Sequence, residues 1–183
     1  MRPRHCSESH PNDTNFPYGP LLDRYVDPVA VLALPATLLV AWVLAVVGVT
    51  PPGADPGDEF AQTAMRWMMT MPAGYLVIAS GIMHTVFARS TAKNIGWTTN
   101  GFQYELGFVS IGLGIAGVIA AYLGGTSWLV LSLVVSVFLL GAAGLHVKEM
   151  IRDRNFALGN TWVLLYDVGL PVSLIALLVA GAA

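Results

Sequence analysis

The chain has 183 residues, 55% of them hydrophobic and only 11% charged, with a formal net charge of −2 and a mean hydropathy of +0.65. A soluble domain carries about a quarter of its residues as charges, so this composition belongs to a membrane protein, and its near-neutral balance lacks the basic footprint that nucleic acid requires. Cys6 is the single cysteine, which excludes an intrachain disulfide and a thiolate metal cluster within one chain.

In chain order, residues 1–27 read as a polar arm on the cytoplasmic side, with Pro3, Pro11, Pro17 and Pro20 and no apolar core of a cleavable signal peptide. Its last part, YGPLLDRYVD, fits either a segment lying on a membrane surface or a disordered tail. Residues 28–183 then hold five apolar segments, at about 28–49, 67–88, 102–123, 126–147 and 161–181. A hydrocarbon core of ~30 Å needs ~20 helical residues, because backbone groups in lipid must bond internally. Each segment meets that length. The expected fold is therefore all-α, a polytopic transmembrane bundle of five spans whose first partner is the lipid bilayer. TPPGADPGDE closes the first segment, GGT makes the third and fourth antiparallel neighbours, and RDRNFALGN closes the fourth and offers Asn160 as a cap for the fifth. Pro35, Pro72 and Pro171 predict kinks.

Loops rich in Lys and Arg stay on the cytoplasmic side. With five crossings, Arg2, Arg4, Arg24, Arg89, Lys93, Lys148, Arg152 and Arg154 share one side, and Arg66, beside Asp55, Asp58 and Glu59, stands alone on the other. The expected orientation places the N-terminus inside and the C-terminus outside the cell membrane.

Close helix contact in lipid depends on small residues. Gly107, Ser110, Gly114, Gly117 and Ala121 recur at three-and-four spacing on one face of the third segment, and Gly112 and Ala116 add a second, which predicts a central helix with neighbours on both sides. Gly74, Gly81, His84 and Ala88 share a face of the second segment, and Ser132, Ser136, Ala143 and His146 share one of the fourth.

Ionisable residues at membrane depth are costly and mark function or pairing. The threading puts His84, Glu105, His146 and Asp167 in the same cytoplasmic third, with Arg89 and Lys93 near enough to join them. Asn94, Trp97 and Gln103 complete a candidate polar pocket, with Asn100, Tyr104 and Tyr166 as further hydrogen-bonding groups, capped by the second loop and open to the cytoplasm. Two roles fit such a pocket. Glu105 pairs with Arg89, Lys93 or His84 and pins the loop, or the cluster binds or relays a solute, ion or proton. His84 and His146 are also a weak candidate pair for a haem iron, with Arg89 near its propionates. Met65, Met68 and Met69 offer soft ligands for copper, although methionine is ordinary packing material.

The run KNIGWTTNGFQYELGFVSIGLGIAG, from Lys93 to Gly117, resembles the signature of an uncharacterised prokaryotic family of small integral membrane proteins, with I-G-W, then F-Q-x-E-x-G-F, then a Gly-rich helix. Ile95, Gly96, Trp97, Phe102, Gln103, Glu105, Gly107, Phe108, Gly112 and Gly114 match that pattern, whereas Ser110 stands where the family more often has asparagine. The resemblance implies a membrane protein of similar build and supplies no reaction.

There is no nucleophile elbow, P-loop, zincin motif or dinucleotide fingerprint, and GLGIAG lies inside an apolar segment with no strand before it. The leading expectation is a non-enzymatic membrane protein that binds or passes a small solute, ion or proton at Glu105, His84 and Asp167, with no cofactor specified. The alternative is an accessory or assembly subunit whose small-residue faces dock other helices, in a homo-oligomer or with other membrane subunits.

Overall fold

The structure, a computed structural model, describes residues 28–183. The arm over residues 1–27, Cys6 and the basic residues Arg2, Arg4 and Arg24 lie outside the described residues.

The first apolar segment begins as a 3-10 turn, Pro28–Leu32, and continues as α1, Ala33–Val46. It is shorter than its sequence suggested, because Val47, Gly48 and Val49 fold back through turn bonds onto the last carbonyls of the helix. The second segment is longer. α2 runs over Phe60–Thr85 and starts well before Trp67, where the Gln62 side chain reaches back to accept the Glu59 N–H at 2.8 Å, half of a capping box. Pro72 has no N–H to continue the ladder. The helix absorbs this as a π-helical turn over Met71–Leu76.

α2 ends in a bend of 100° into a short helix, α3, Ala88–Ile95, within a stretch whose polarity predicts only a loop. Three local bonds explain it. The Thr91 hydroxyl donates to the Met83 carbonyl at 2.9 Å, satisfying an orphan acceptor at the end of α2. Gly96 N–H donates to Lys93 O and Trp97 N–H to Ala92 O, the paired bonds that close a helix through a left-handed residue. Gly96 has φ +84, and a Cβ there would sit 2.6 Å from Asn155 Oδ1, so conformation and space both call for glycine. Ala88, Ser90, Thr91 and Ala92 face inward on α3 while Arg89 and Lys93 are exposed.

α4 spans Gly101–Leu123 behind an Asn100 cap, α5 spans Thr126–Arg152, and α6 spans Leu158–Val179. Among the described residues there is no strand. α4, α5 and α6 are each long and apolar enough to cross a membrane, α2 with α3 passes the same test as a bent pair, and the apolar helix Ala30–Val46 is shorter. Length and composition thus mark three to four candidate spans where sequence spacing suggested five.

α4 lies against α2, α5 against α6, and α1 against α2 and α6. The α2–α4 contact is backbone on backbone. A Cβ at Gly81 would stand 2.5 Å from Gly107 O, one at Gly114 2.7 Å from Gly74 O, and one at Gly117 2.5 Å from Ala73 O. On the second small face of α4, Ala116 packs against the core, whereas Gly112 is exposed and a Cβ there meets nothing.

The core is centred on Met65, Met68, Met69, Trp128, Leu170 and Leu174, all at most 2% exposed. At that end of the bundle, buried Arg66 ties four elements together. Its guanidinium bonds Asp55 and Asp58, each at 2.6 Å, donates to Ala121 O at 2.7 Å, and lies over the Trp128 ring at 5.1 Å. Trp128 in turn donates its indole N–H to Ala120 O at 2.8 Å. The planar guanidinium spends separate N–H groups on the two aspartates and the carbonyl, and its face takes the ring. The Arg66–Asp58 bond holds the Asp58 carboxyl below the ordinary 3.8 of an aspartate. Arg89, Lys93, Lys148, Arg152 and Arg154 all belong to the opposite end, on α3, on the last turns of α5 and just beyond them.

Candidate functional site

At the α3 end, the six helices do not close on one another. They enclose a cavity of about 550 Å³ lined from α1, α2, α3, α4, α5 and α6, within the size range of ordinary small-molecule sites. Most of its wall is aliphatic or aromatic, including Leu34, Leu76, Leu106, Phe138 and Leu139, and its polar groups gather where α2, α5 and α6 converge.

His146 is the most heavily braced of those groups. Asn160, at the start of α6 and fully buried, donates its amide N–H groups to Asn155 O at 2.8 Å and His146 O at 3.3 Å. That fixes the amide's orientation, so its oxygen, 2.6 Å from His146 Nδ1, accepts the proton there. The imidazole also stacks on Trp97 at 5.7 Å between centroids and 17° between planes. Trp97 is itself held, its indole N–H donating to Glu149 Oε2 at 2.5 Å, and Asn155 bonds both Glu149 Oε2 and Ile95 O. Thus α3, α5 and the turn before α6 form one braced roof.

With Nδ1 occupied, His146 presents Nε2 toward Asp167. The separation from Asp167 Oδ2 is 3.9 Å, too long for a hydrogen bond. Asp167 is 3% exposed, and its Oδ2 is buried without a hydrogen-bond partner among the described residues, as is Nδ1 of His84. Leaving such an atom buried and unbonded costs about 1–3 kcal/mol; among the described residues the hydroxyls of Ser132 and Ser136 on α5, off the cavity lining, share that condition. Beside Asp167, the Tyr166 hydroxyl donates to Pro72 O at 2.6 Å, using a carbonyl in the π-helical turn.

The residues singled out from sequence separate into two groups. His84, Asn94, Trp97, His146 and Asp167 line the cavity. Arg89, Lys93, Gln103 and Glu105 do not. Arg89 and Lys93 point outward from α3, and Gln103 is buried but spends its amide on Ala88 O at 2.6 Å, joining α4 to α3. Glu105 is exposed among exposed Phe102, Phe108 and Val109 and forms no ion pair among the described residues. Ser110 lines the cavity and donates to Leu106 O at 2.9 Å. Met65, Met68 and Met69 are fully enclosed in the core, a packing role for soft side chains, and no group of three His, Cys, Asp or Glu able to hold a metal occurs among the described residues. For haem, His146 Nδ1 is taken by Asn160, which leaves Nε2 and His84 as the ring nitrogens facing the space.

Sequence reasoning passed over Glu149 and read Asn160 only as a helix cap. The one available signal was that Asn155 and Asn160 are neutral polar residues beside an apolar helix, where a buried amide must find partners.

The model of a family of unknown function, DUF6790, matches residues 32–183. Neither a curated protein nor a solved structure matches the chain.

Proposed function

The chain belongs to the DUF6790 family of unknown function, and from that premise we propose that it is a multi-pass membrane protein of the cytoplasmic membrane. It holds a small molecule, non-enzymatically, in the cavity beneath α3. The observation that carries this reading is a space of about 550 Å³ lined by His84 and Asp167, each of which has a buried side-chain atom with no hydrogen-bond partner among the described residues. A bundle that needed this region only for packing would gain by filling it with aliphatic side chains. A bound group that hydrogen-bonds both atoms removes the penalty.

In this reading α1 is a fifth crossing. Its 3-10 turn rises about 2 Å per residue against about 1.5 Å in the α-helix, which brings Pro28–Val46 near the thickness of a hydrocarbon core. The basic end, with α3 as its roof, faces the cytoplasm by the charge rule. The likeness of Lys93–Gly117 to a prokaryotic signature fits a bacterial or archaeal inner membrane. Arg89 and Lys93 then lie at the headgroup level, where basic side chains meet anionic lipid.

Native mass spectrometry of the protein, extracted gently from its own membrane, tests the proposal. The expected wild-type spectrum is a monomer or small homo-oligomer with one stoichiometric extra mass, lost in Asp167→Asn and His84→Phe. A bare wild-type chain overturns it. A particle containing other chains favours instead an accessory subunit, for which the open Gly112 face of α4 is the observation in support.

A further inference from the structure

The wall of the cavity indicates where its occupant comes from. Five lining residues are themselves exposed: Ala30 and Ala33 at the start of the first helical segment, Ala79 on α2, and Gly141 and Leu145 on α5. Ala79, Gly141 and Leu145 lie away from the ends of their helices. Ala79 lies about 9 Å inside the end of α2 and Gly141 about 16 Å inside the end of α5, at 1.5 Å per residue. The opening is therefore in the flank, at the depth where the outer surface of α5 carries Leu133, Val137 and Leu140. The end of the cavity is roofed by α3 and by the Trp97–His146 stack.

Resting on the binding reading above, we infer that the cavity takes an amphipathic molecule sideways from the bilayer: an apolar body with a hydroxyl head, as in a long-chain alcohol or a phenol. The body fits the aliphatic wall. The head meets His84 and Asp167, which together call for a group that both donates and accepts. A carboxylate oxygen only accepts, whereas the neutral imidazole Nδ1 of His84 takes either role. A hydroxyl donates to a carboxylate oxygen and either donates to or accepts from a neutral imidazole, so it suits both residues. A hydrated metal cation fits poorly, since among the described residues Asp167 is the only carboxylate on the lining and hard cations take six or more oxygens. The exposed lining residues Ala79 and Gly141 are small, and a Cβ at Gly141 meets nothing within 4 Å. A bulky side chain there blocks the flank without disturbing the fold.

The test uses the full-length protein in vesicles of phosphatidylethanolamine and phosphatidylglycerol. The probes are a long-chain alcohol carrying a diazirine in its chain and, separately, a short water-soluble diol carrying the same group. Gly141→Trp is compared with Gly144→Trp, an exposed glycine on the same helix whose Cβ also meets nothing but which does not line the cavity. Thermal melting confirms that both variants fold. After photolysis, the alcohol is expected to label Leu139 and Ala142 in wild type and in Gly144→Trp, and to fall about tenfold in Gly141→Trp, a difference of about 1.4 kcal/mol in occupancy. Equal alcohol labelling in the two variants overturns admission through the flank. Labelling of the same residues by the diol, undiminished in Gly141→Trp, shows a site filled from water, which sinks the inference and leaves the binding proposal standing. Labelling of the cavity by neither probe overturns both.

Discussion

Arg66 and Asp167, toward opposite ends of this bundle, handle burial in opposite ways. At one end Arg66 is 3% exposed, yet its guanidinium meets two carboxylates, a backbone carbonyl and an aromatic face. At the other, Asp167 is equally buried and its Oδ2 has no hydrogen-bond partner among the described residues, and neither has Nδ1 of His84. A saturated network fixes a structure, because removing any member strands the rest. An unsaturated one is stabilised by something added to it. In the binding proposal, accordingly, the Arg66 end is the scaffold and the α3 end is the site.

If that division holds, the largest loss of stability comes from Arg66→Ala, which strips Asp58 and the Ala121 carbonyl of their partner and removes the side chain over Trp128. About 3 kcal/mol is expected by analogy with broken buried pairs, read as a fall in melting temperature in nanodiscs. Arg66→Lys recovers part of it but not the forked geometry. Next is Gly114→Leu, whose side chain has to enter backbone at Ile78 and Gly74, with an expected cost of about 1–3 kcal/mol or more from overpacking. Gly112→Leu, in open space, stays within about 0.5 kcal/mol of wild type. An equal cost for both leucines would mean that the Gly112 face is occupied too.

The opposite pattern is expected at the cavity. His84→Phe removes an unbonded polar atom from an apolar wall, so melting in the absence of a bound molecule is unchanged or slightly raised, while retention of the extra mass falls about tenfold or more. A large loss of stability in this variant would make the α3 end a second scaffold. The smallest effect is a pH dependence at the Arg66 end. Since the Asp58 carboxyl titrates below 3.8 in the folded chain, its contribution is fully present above 3.8 and is lost only as pH falls through that lower folded value. Trp128 fluorescence is expected to hold steady down to mildly acidic pH and to change below, with Asp58→Asn flattening the change.

Much of the architecture could be read from spacing alone. The recurrence of Gly107, Gly114 and Gly117 marks one face of α4, and that face is where α4 lies on α2. The bounds of α4 and the Gly124–Gly125 turn were equally visible, because apolar runs and turn residues are local signals. What could not be read depends on side-chain direction in three dimensions. Glu105 and Gln103 are adjacent in depth, yet one points out of the bundle and the other into the α3–α4 joint. Their rotation about the helix axis decides the matter, not their distance from its end. α3 was hidden for a different reason: its eight residues are polar on average and it forms because Thr91 and Gly96 close its two ends. The partners of His146 were hidden because Asn160 approaches it from another helix.

The most direct measurement is an experimental structure of the wild-type protein grown from a lipid mesophase containing its own membrane lipids. The expected result is non-protein density in the cavity, within hydrogen-bonding distance of both His84 Nδ1 and Asp167 Oδ2, its apolar part running toward the gap between Ala79 and Gly141. A cavity closed by movement of α5 against α2, with both atoms bonded to this chain's own groups, would contradict it.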